Sequence, residues 1–284
     1  MTTIAVVIPT VEQRSEELTR CLHSIGAQQR PPDELYVARG YAGPVQALAA
    51  AWERTTADWI AVTDDDAAPR CDWLARLEQH LDDSTLGAVG GRIVNVVGGR
   101  PTGRTFDRAP VAALSYYGRT RSRLHDAPRQ HVICGAAFLP GSNMCFHRSA
   151  LPSIDLALGL GMAPGFELAL CLEVARRGYA VRFDSELVVE HRPARRPRPL
   201  DREDAARRAY EYSRNLAYTL LRWLPWPRKL AFGFYFLLIG QATSPGLLAA
   251  PLYCRSRTSR QILAASWHGK FEGARIAFLA GKPA

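Results

Sequence analysis

The first third of the chain alternates short apolar runs with stretches of helical spacing. Ile4 to Ile8 is a β-branched run that reads as a buried strand, and Leu18, Cys21, Leu22 and Ile25 recur at helical intervals within Glu16 to Gln28. Glu34 to Ala38 reads as a second strand, Val45 to Thr55 as an alanine-rich helix, Trp59 to Thr63 as a third strand and Trp73 to Leu81 as another helix. Strands separated by helices of this length predict an α/β fold with a mainly parallel central sheet and right-handed crossovers. Ligands of such sheets collect at the carboxyl ends of the strands. There the chain sets Pro9-Thr10 and the run Asp64-Asp65-Asp66.

Further along, Gly87 to Val97 reads as a strand, and Gly98 to Gln130, rich in Gly, Pro and Arg, as a long loop over the site. Ile133 to Leu139 reads as ordered, Gly141 to Arg148 as a tight turn into a strand, and Glu167 to Arg177 as a helix stopped by Gly178. Strands follow at Ala180 to Phe183 and Leu187 to His191. The basic, proline-punctuated segment Arg192 to Pro199 reads as a linker, dividing the chain into a catalytic domain over 1–193 and a helical region over 194–284. That region opens with a polar, arginine-bearing helix from Asp201 to Trp223 and continues into the uncharged stretch Leu230 to Cys254. The stretch is long enough to span a bilayer, but Gly240, Pro245 and Gly246 interrupt it. Arg222, Arg228 and Lys229 precede it, Arg255, Arg257 and Arg260 follow it, and Trp223 and Trp226 stand at its entry. This flanking pattern predicts an interfacial or re-entrant hairpin against anionic lipid. The alternative is an ordinary buried helix pair.

A hydrophobic content of 47% over 284 residues supports a sizeable core and excludes wholesale disorder. The balance of 36 basic to 27 acidic residues gives a net charge of +9, carried almost entirely by arginine, since lysine occurs only at Lys229, Lys270 and Lys282. Such an excess suits nucleic acid, anionic lipid or phosphorylated small molecules. Nucleic acid ranks last, because Arg192 to Arg198 is short, lacks interleaved aromatics and leaves the acidic run unexplained. Six widely spaced cysteines without a CxxC read as buried, reduced thiols. The first nine residues carry no basic leader or cleavage-like site and read as a strand, so the expected location is cytoplasmic, peripheral on the inner face of the cell membrane.

The chemistry concentrates in Asp64-Asp65-Asp66. Three adjacent carboxylates repel one another, and where a buried strand emerges they call for a cation. Residues i and i+2 of an extended segment point the same way, so Asp64 and Asp66 can address one ion while Asp65 turns aside. The pair suits Mg²⁺ or Mn²⁺, which take one or two protein carboxylates and complete their shell with water and substrate phosphates. The competing explanation is a solvated acidic turn.

Four patterns occur in a fixed order: the strand ending in Pro9-Thr10, the strand ending in Asp64 to Asp66, the Gly141 to Arg148 segment, and Gly165-Phe166-Glu167 before a helix closed by Arg177-Gly178-Tyr179. Together they resemble family 2 glycosyltransferases, the inverting enzymes of the GT-A fold, over residues 4–193. The resemblance implies that Asp64 and Asp66 are the DxD carboxylates holding a divalent metal on the diphosphate of a nucleotide sugar, with His191 approaching the same metal or diphosphate. It implies that Glu167 is the general base that deprotonates the acceptor hydroxyl, and that Asn143 and Met144 line the donor and acceptor cleft. Pro9, Thr10, Arg39 and Asp65 then shape the nucleotide pocket, and Arg92 reaches phosphate. Two positions depart from the family: Arg39 stands where an aspartate usually binds the base, and Phe166 replaces the first residue of the usual Glu-Asp pair. The expected reaction is metal-dependent transfer of a sugar to a hydroxyl on a glycan, a lipid-linked acceptor or a small molecule. The alternatives are a nucleotidyltransferase of similar fold and a non-catalytic membrane-associated relative.

Overall fold

The computed structural model describes residues 2–10, 15–102, 111–124, 127, 132–159, 163–192 and 202–281. The chain forms two compact units: one takes in 1–113, 121–156 and 170–195, the other 114–120, 157–169 and 196–284.

In the first unit β1 (Ile4–Pro9), α1 (Ser15–Gly26), β2 (Glu34–Ala38), α2 (Pro44–Arg54) and β3 (Trp59–Val62) follow the apolar pattern closely. β4 (Ala67–Pro69), α3 (Trp73–Glu78), β5 (Leu86–Val97) and β6 (Arg100–Thr102) come next. After them along the chain come the two-residue strands β7 (Ala113–Leu114) and β8 (Thr120–Arg121), β9 (Val132–Cys134), β10 (Met144–His147), α4 (Phe166–Arg176) and β11 (Ala180–His191), of which Leu114, Thr120 and the first four residues of α4 group with the second unit. Among the described residues the main sheet has nine strands, ordered β2-β1-β3-β10-β5-β11-β4 with β6 beside β5 and β9 beside β11. β2, β1, β3, β5 and β11 run in one direction, while β10 enters antiparallel between β3 and β5. β1 is apolar at every position from Ile4 to Ile8 because both of its faces are covered. Ile4, Val6 and Ile8 pack with Leu18, Cys21 and Ile25 of α1 and with Trp59 and Trp73.

Three expectations change. The loop predicted over Gly98 to Gln130 begins as a hairpin, with Asn95, Val96 and Val97 paired to Thr102, Pro101 and Arg100. Residues 103–110, 125–126 and 128–130 of that segment lie outside the described residues, as do 193–199 of the expected linker. The two strands expected over 180–191 are one strand with an irregularity between Asp184 and Val188. A Cβ on Gly91 would overlap the Leu187 carbonyl oxygen and one on Gly90 the Asn143 carbonyl oxygen, so the Gly-Gly pair lets the bulged strand and the turn at 140–143 lie against β5. The cysteines are all free thiols, but only Cys21, Cys145 and Cys171 are buried, while Cys71, Cys134 and Cys254 are exposed.

The second unit is helical: α5 (Arg202–Trp223), α6 (Trp226–Leu238), the two-residue strands β12 (Gly240–Gln241) and β13 (Ser244–Pro245), α7 (Ala250–Tyr253) and α8 (Arg257–Leu279). α5 and α8 approach closely at Gly269 and Gly273, where a Cβ would overlap the carbonyl oxygens of Tyr210 and Arg214. The uncharged stretch breaks at Gly240, whose φ of +73° opens the β12–β13 turn. Among the described residues no helix is long and apolar enough to cross a membrane.

Candidate functional site

The acidic run sits where β3 ends. Beyond Val62 the Thr63 amide still donates to the Val7 carbonyl, 3.1 Å, which continues the β1–β3 ladder for one residue. The chain then turns, with the Ala67 amide donating to the Asp64 carbonyl at 3.2 Å, and returns as β4 against the end of β11. In that antiparallel pair Ala67 stands opposite His191, and the Arg192 amide donates to the Asp66 carbonyl at 2.9 Å. A backbone ladder therefore brings His191 to Asp66, although 125 positions separate them in the chain (191 − 66).

Asp64, Asp66 and His191 each direct one potential ligand atom into a cluster in which those atoms lie within 4.8 Å of one another. His191 Nε2 is 3.1 Å from Asp66 Oδ1, and its Nδ1 is 3.0 Å from Asn95 Oδ1. Asn95 lies opposite His191 in the parallel β5–β11 ladder, so it is held there by register. An amide oxygen only accepts, so this contact keeps a proton on Nδ1 and aims the Nε2 lone pair at the carboxylates. Lone pairs facing each other at this spacing need a positive charge between them, either a metal ion or a proton on Nε2 donated to Asp66. Two carboxylate oxygens and one imidazole nitrogen fit a divalent ion that tolerates mixed O/N ligation, with room left for water or phosphate oxygens. Sequence reasoning missed Asn95. Its signal was one polar residue within the apolar run Ile93-Val94-Asn95-Val96-Val97.

Asp65 turns away from the cluster, but it does so from the second position of the Asp64–Ala67 turn and not from the extended segment expected from the sequence. It is buried and accepts a 2.7 Å hydrogen bond from the Thr10 hydroxyl. Thr10 is fixed in turn by its amide, which donates to the Ala38 carbonyl at 3.0 Å, and Pro9 closes β1 opposite Ala38. Arg39 follows Ala38 directly and is exposed at the same end of the sheet. Beneath the acidic run lies Cys21, whose thiol is pushed up to about 12, first by burial and then by the negative field of Asp64, Asp65 and Asp66. It is inert as a nucleophile at neutral pH.

Asn143 and Met144 are both about 1% exposed. Asn143 Oδ1 accepts from the Trp73 indole N–H at 3.0 Å, while Nδ2 donates to the carbonyls of Leu187, 2.8 Å, and Arg92, 3.2 Å. Its backbone carbonyl accepts from the Gly91 amide at 3.3 Å. Asn143 thus pins α3, β5 and the β11 bulge together, and the side chain of Met144 is enclosed in β10. The half-buried Arg92 pairs with Val188 at the β11 irregularity, three positions before Asn95. Glu167, half-buried in the first turn of α4, clusters with the second unit, as does the buried Phe166 beside it. There its charge helps to raise the phenol of Tyr212, an effect secondary to burial.

The family model "Glycosyl transferase family 2" matches residues 36–152. The pre-mycofactocin glycosyltransferase of Mycobacterium tuberculosis is 26% identical over 152 residues, which is 52% of this chain and 30% of that protein. The chain thus spans under a third of the length of the curated relatives it matches. Among solved structures, GalNAc-T7 with UDP, GalNAc and Mn²⁺ superposes with a TM-score of 0.56 at 14% identity, over 78% of this chain and 50% of that one. The mannosyltransferase PcManGT of Pyrobaculum calidifontis, in complex with GDP-Man and Mn²⁺, gives 0.52 at 17% identity over 98% and 88% of the two chains. These likenesses establish the GT-A fold. The acidic run Asp64 to Asp66 lies inside the segment that the family model matches.

Proposed function

We propose that the chain is a metal-dependent glycosyltransferase that moves a sugar from a nucleoside diphosphate sugar to a hydroxyl acceptor with inversion. The observation that carries this reading is the convergence of Asp64, Asp66 and His191 at the carboxyl end of the sheet, the two aspartates lying inside the segment that the family 2 model matches. These three residues would hold Mn²⁺ or Mg²⁺, and the imidazole nitrogen favours manganese. When bound, the ion would neutralise charge on the departing diphosphate.

The chain's own groups supply the rest. Asn95 fixes the His191 tautomer, and the Thr10–Asp65 hydrogen bond stiffens the strand ends that shape the nucleotide pocket beside Pro9 and Arg39. Arg39 offers a cation where the family usually has a carboxylate, which favours an extra contact with phosphate or with a base carbonyl. Arg92 remains a candidate for phosphate, and Asn143 and Met144 support the cleft from behind. Glu167 serves as general base: inversion needs one carboxylate that takes the acceptor proton from the face opposite the leaving group. Supporting donor use, the solved neighbours were captured with UDP and GalNAc or with GDP-Man, each with Mn²⁺. The acceptor is a hydroxyl of a glycan, a lipid-linked saccharide or a small molecule.

The test is a screen of UDP-, GDP- and dTDP-sugars for release of nucleoside diphosphate, run with Mn²⁺, with Mg²⁺ and with EDTA. Asp66→Ala is expected to lower turnover by about 10²–10³-fold. Release that survives EDTA, or an Asp66→Ala enzyme with full turnover, removes the metal role. Release of pyrophosphate from a nucleoside triphosphate and a sugar phosphate would instead identify a nucleotidyltransferase.

A further inference from the structure

The second unit carries a surface that sugar transfer leaves unused. From Tyr212 to Phe271 the chain has six arginines, two lysines and no carboxylate, and all of these cations except Arg214 and Lys270 are at least partly exposed. Within that span α6 exposes Trp226, Leu230, Phe234, Leu237 and Leu238. At about 100° per residue these fall within an arc of roughly 120°, while Phe232 and Phe236 are buried on the opposite side. Phe234 is 70% exposed and Trp226 66%.

The apolar surface continues past the helix. Gly246 packs against the backbone of Leu238 and Ile239, which sets Leu247 and the 70% exposed Leu248 beside the end of the stripe. At the other end, Trp226, Lys229 and Leu230 share a groove of about 310 Å³ with Ala277 and Phe278 of α8. Arg228 donates to the carbonyls of Ser115, 2.9 Å, and Tyr116, 3.1 Å, holding the exposed Tyr116 ring near the start of α6. Arg255, Arg257 and Arg260 are exposed where α7 gives way to α8.

We propose that this face is a docking surface for an anionic phospholipid bilayer, on which α6 lies in the interfacial plane. The combination selects the occupant. Exposed Leu, Ile and Phe gain by entering the acyl boundary, Trp and Tyr suit the headgroup level, and carboxylate-free arginines meet lipid phosphates. At 13 residues α6 is about 20 Å long, well short of a hydrocarbon core of about 30 Å, so it lies on the membrane and does not span it. A second copy fits poorly, because a self-complementary contact would oppose like charges.

The proposal is independent of the sugar-transfer reading, since binding is measured without donor. The full chain is sedimented with vesicles of phosphatidylcholine alone and of phosphatidylcholine mixed with phosphatidylglycerol, at low and high salt. Strong binding to the mixed vesicles, weakened by salt, is expected. The double variant Arg255→Ser/Arg257→Ser should lose about fivefold per arginine on mixed vesicles. Phe234→Ser/Leu248→Ser should lose on the order of tenfold or more on the same vesicles. Both pairs are exposed, so circular dichroism should match the unaltered chain. Brominated acyl chains should quench Trp226 in the unaltered chain and lose that effect in the Phe234→Ser/Leu248→Ser variant. Failure to bind mixed vesicles at low salt, or binding unchanged in both variants, overturns the proposal. A dimer that Phe234→Ser dissolves, with no vesicle binding, assigns the face to a second copy.

Discussion

Replacing Asn143 with leucine separates two accounts of one residue. Leucine is close in volume but its side chain forms no hydrogen bonds, so it strands the Trp73 indole N–H and the Leu187 carbonyl and removes one donor from the Arg92 carbonyl. A buried polar group left without its partner costs about 1–3 kcal/mol. Counting only the first two groups, the first unit should lose about 2–6 kcal/mol, and even 3 kcal/mol shifts the folding equilibrium more than a hundredfold. Amide hydrogen exchange on peptides covering 86–97 and 180–191 reads this directly, because those strands are the ones Asn143 joins. If Asn143 instead contacts substrate, protection stays within about 1 kcal/mol of the unaltered protein while KM rises. That outcome would refute the scaffold role.

Three further predictions rest on separate contacts. Asn95→Leu frees the His191 tautomer and should weaken Mn²⁺ binding about 10–100-fold, measured by calorimetry on the protein alone; unchanged affinity would show that Asn95 does not orient the imidazole. Gly273→Ala improves helix propensity by about 1 kcal/mol, yet its Cβ meets the Arg214 carbonyl, so thermal melts should show a net loss of about 1–2 kcal/mol in the second unit. A gain in stability would mean that α5 and α8 separate at little cost. Lys270 is buried against the Phe236 ring, and its ammonium donates to the carbonyls of Phe236, 2.6 Å, and Pro245, 2.8 Å. Burial pulls it down to about 8 from 10.5, so between those values the unfolded chain binds the extra proton. Its contribution to stability therefore rises as pH climbs through that window, and a urea-midpoint difference against Lys270→Met that stays flat there would contradict the assignment.

Much of the first unit is legible in the sequence because burial on both faces writes itself as uninterrupted apolar runs. Ile4 to Ile8 and Trp59 to Thr63 mark strands to within a residue of their observed ends. The antiparallel entry of β10 is not legible, since Met144-Cys145-Phe146 would be equally apolar in either direction. The single bulged strand over 180–191 was hidden too, because Gly91 and Leu187 allow the bulge only through a contact that no local pattern records. At the site, Asp64 and Asp66 announced themselves by charge. Asn143, read as a cleft residue, is enclosed because three partners from separate elements converge on it, and convergence of that kind has no period in sequence.

The β4–β11 ladder also determines how the cluster responds to change. His191 stands opposite Ala67, next to Asp66, and the Arg192 amide is bonded to the Asp66 carbonyl, so these two residues of the proposed metal cluster ride on one strip of sheet and move together. Asp64 instead belongs to the end of β3, joined to that strip by the Asp64–Ala67 turn. A perturbation of β11, at its bulge or at Asn143, should therefore displace His191 and Asp66 as a pair relative to Asp64, opening the cluster without breaking the His191–Asp66 contact. A metal that accepts a spread of ligand distances would tolerate that displacement better than one demanding near-ideal octahedral geometry at short range. Asn143 variants that retain partial folding should consequently lose Mg²⁺ support before Mn²⁺ support. Equal loss of both ions would place Asp64 on the same rigid strip as the other two residues.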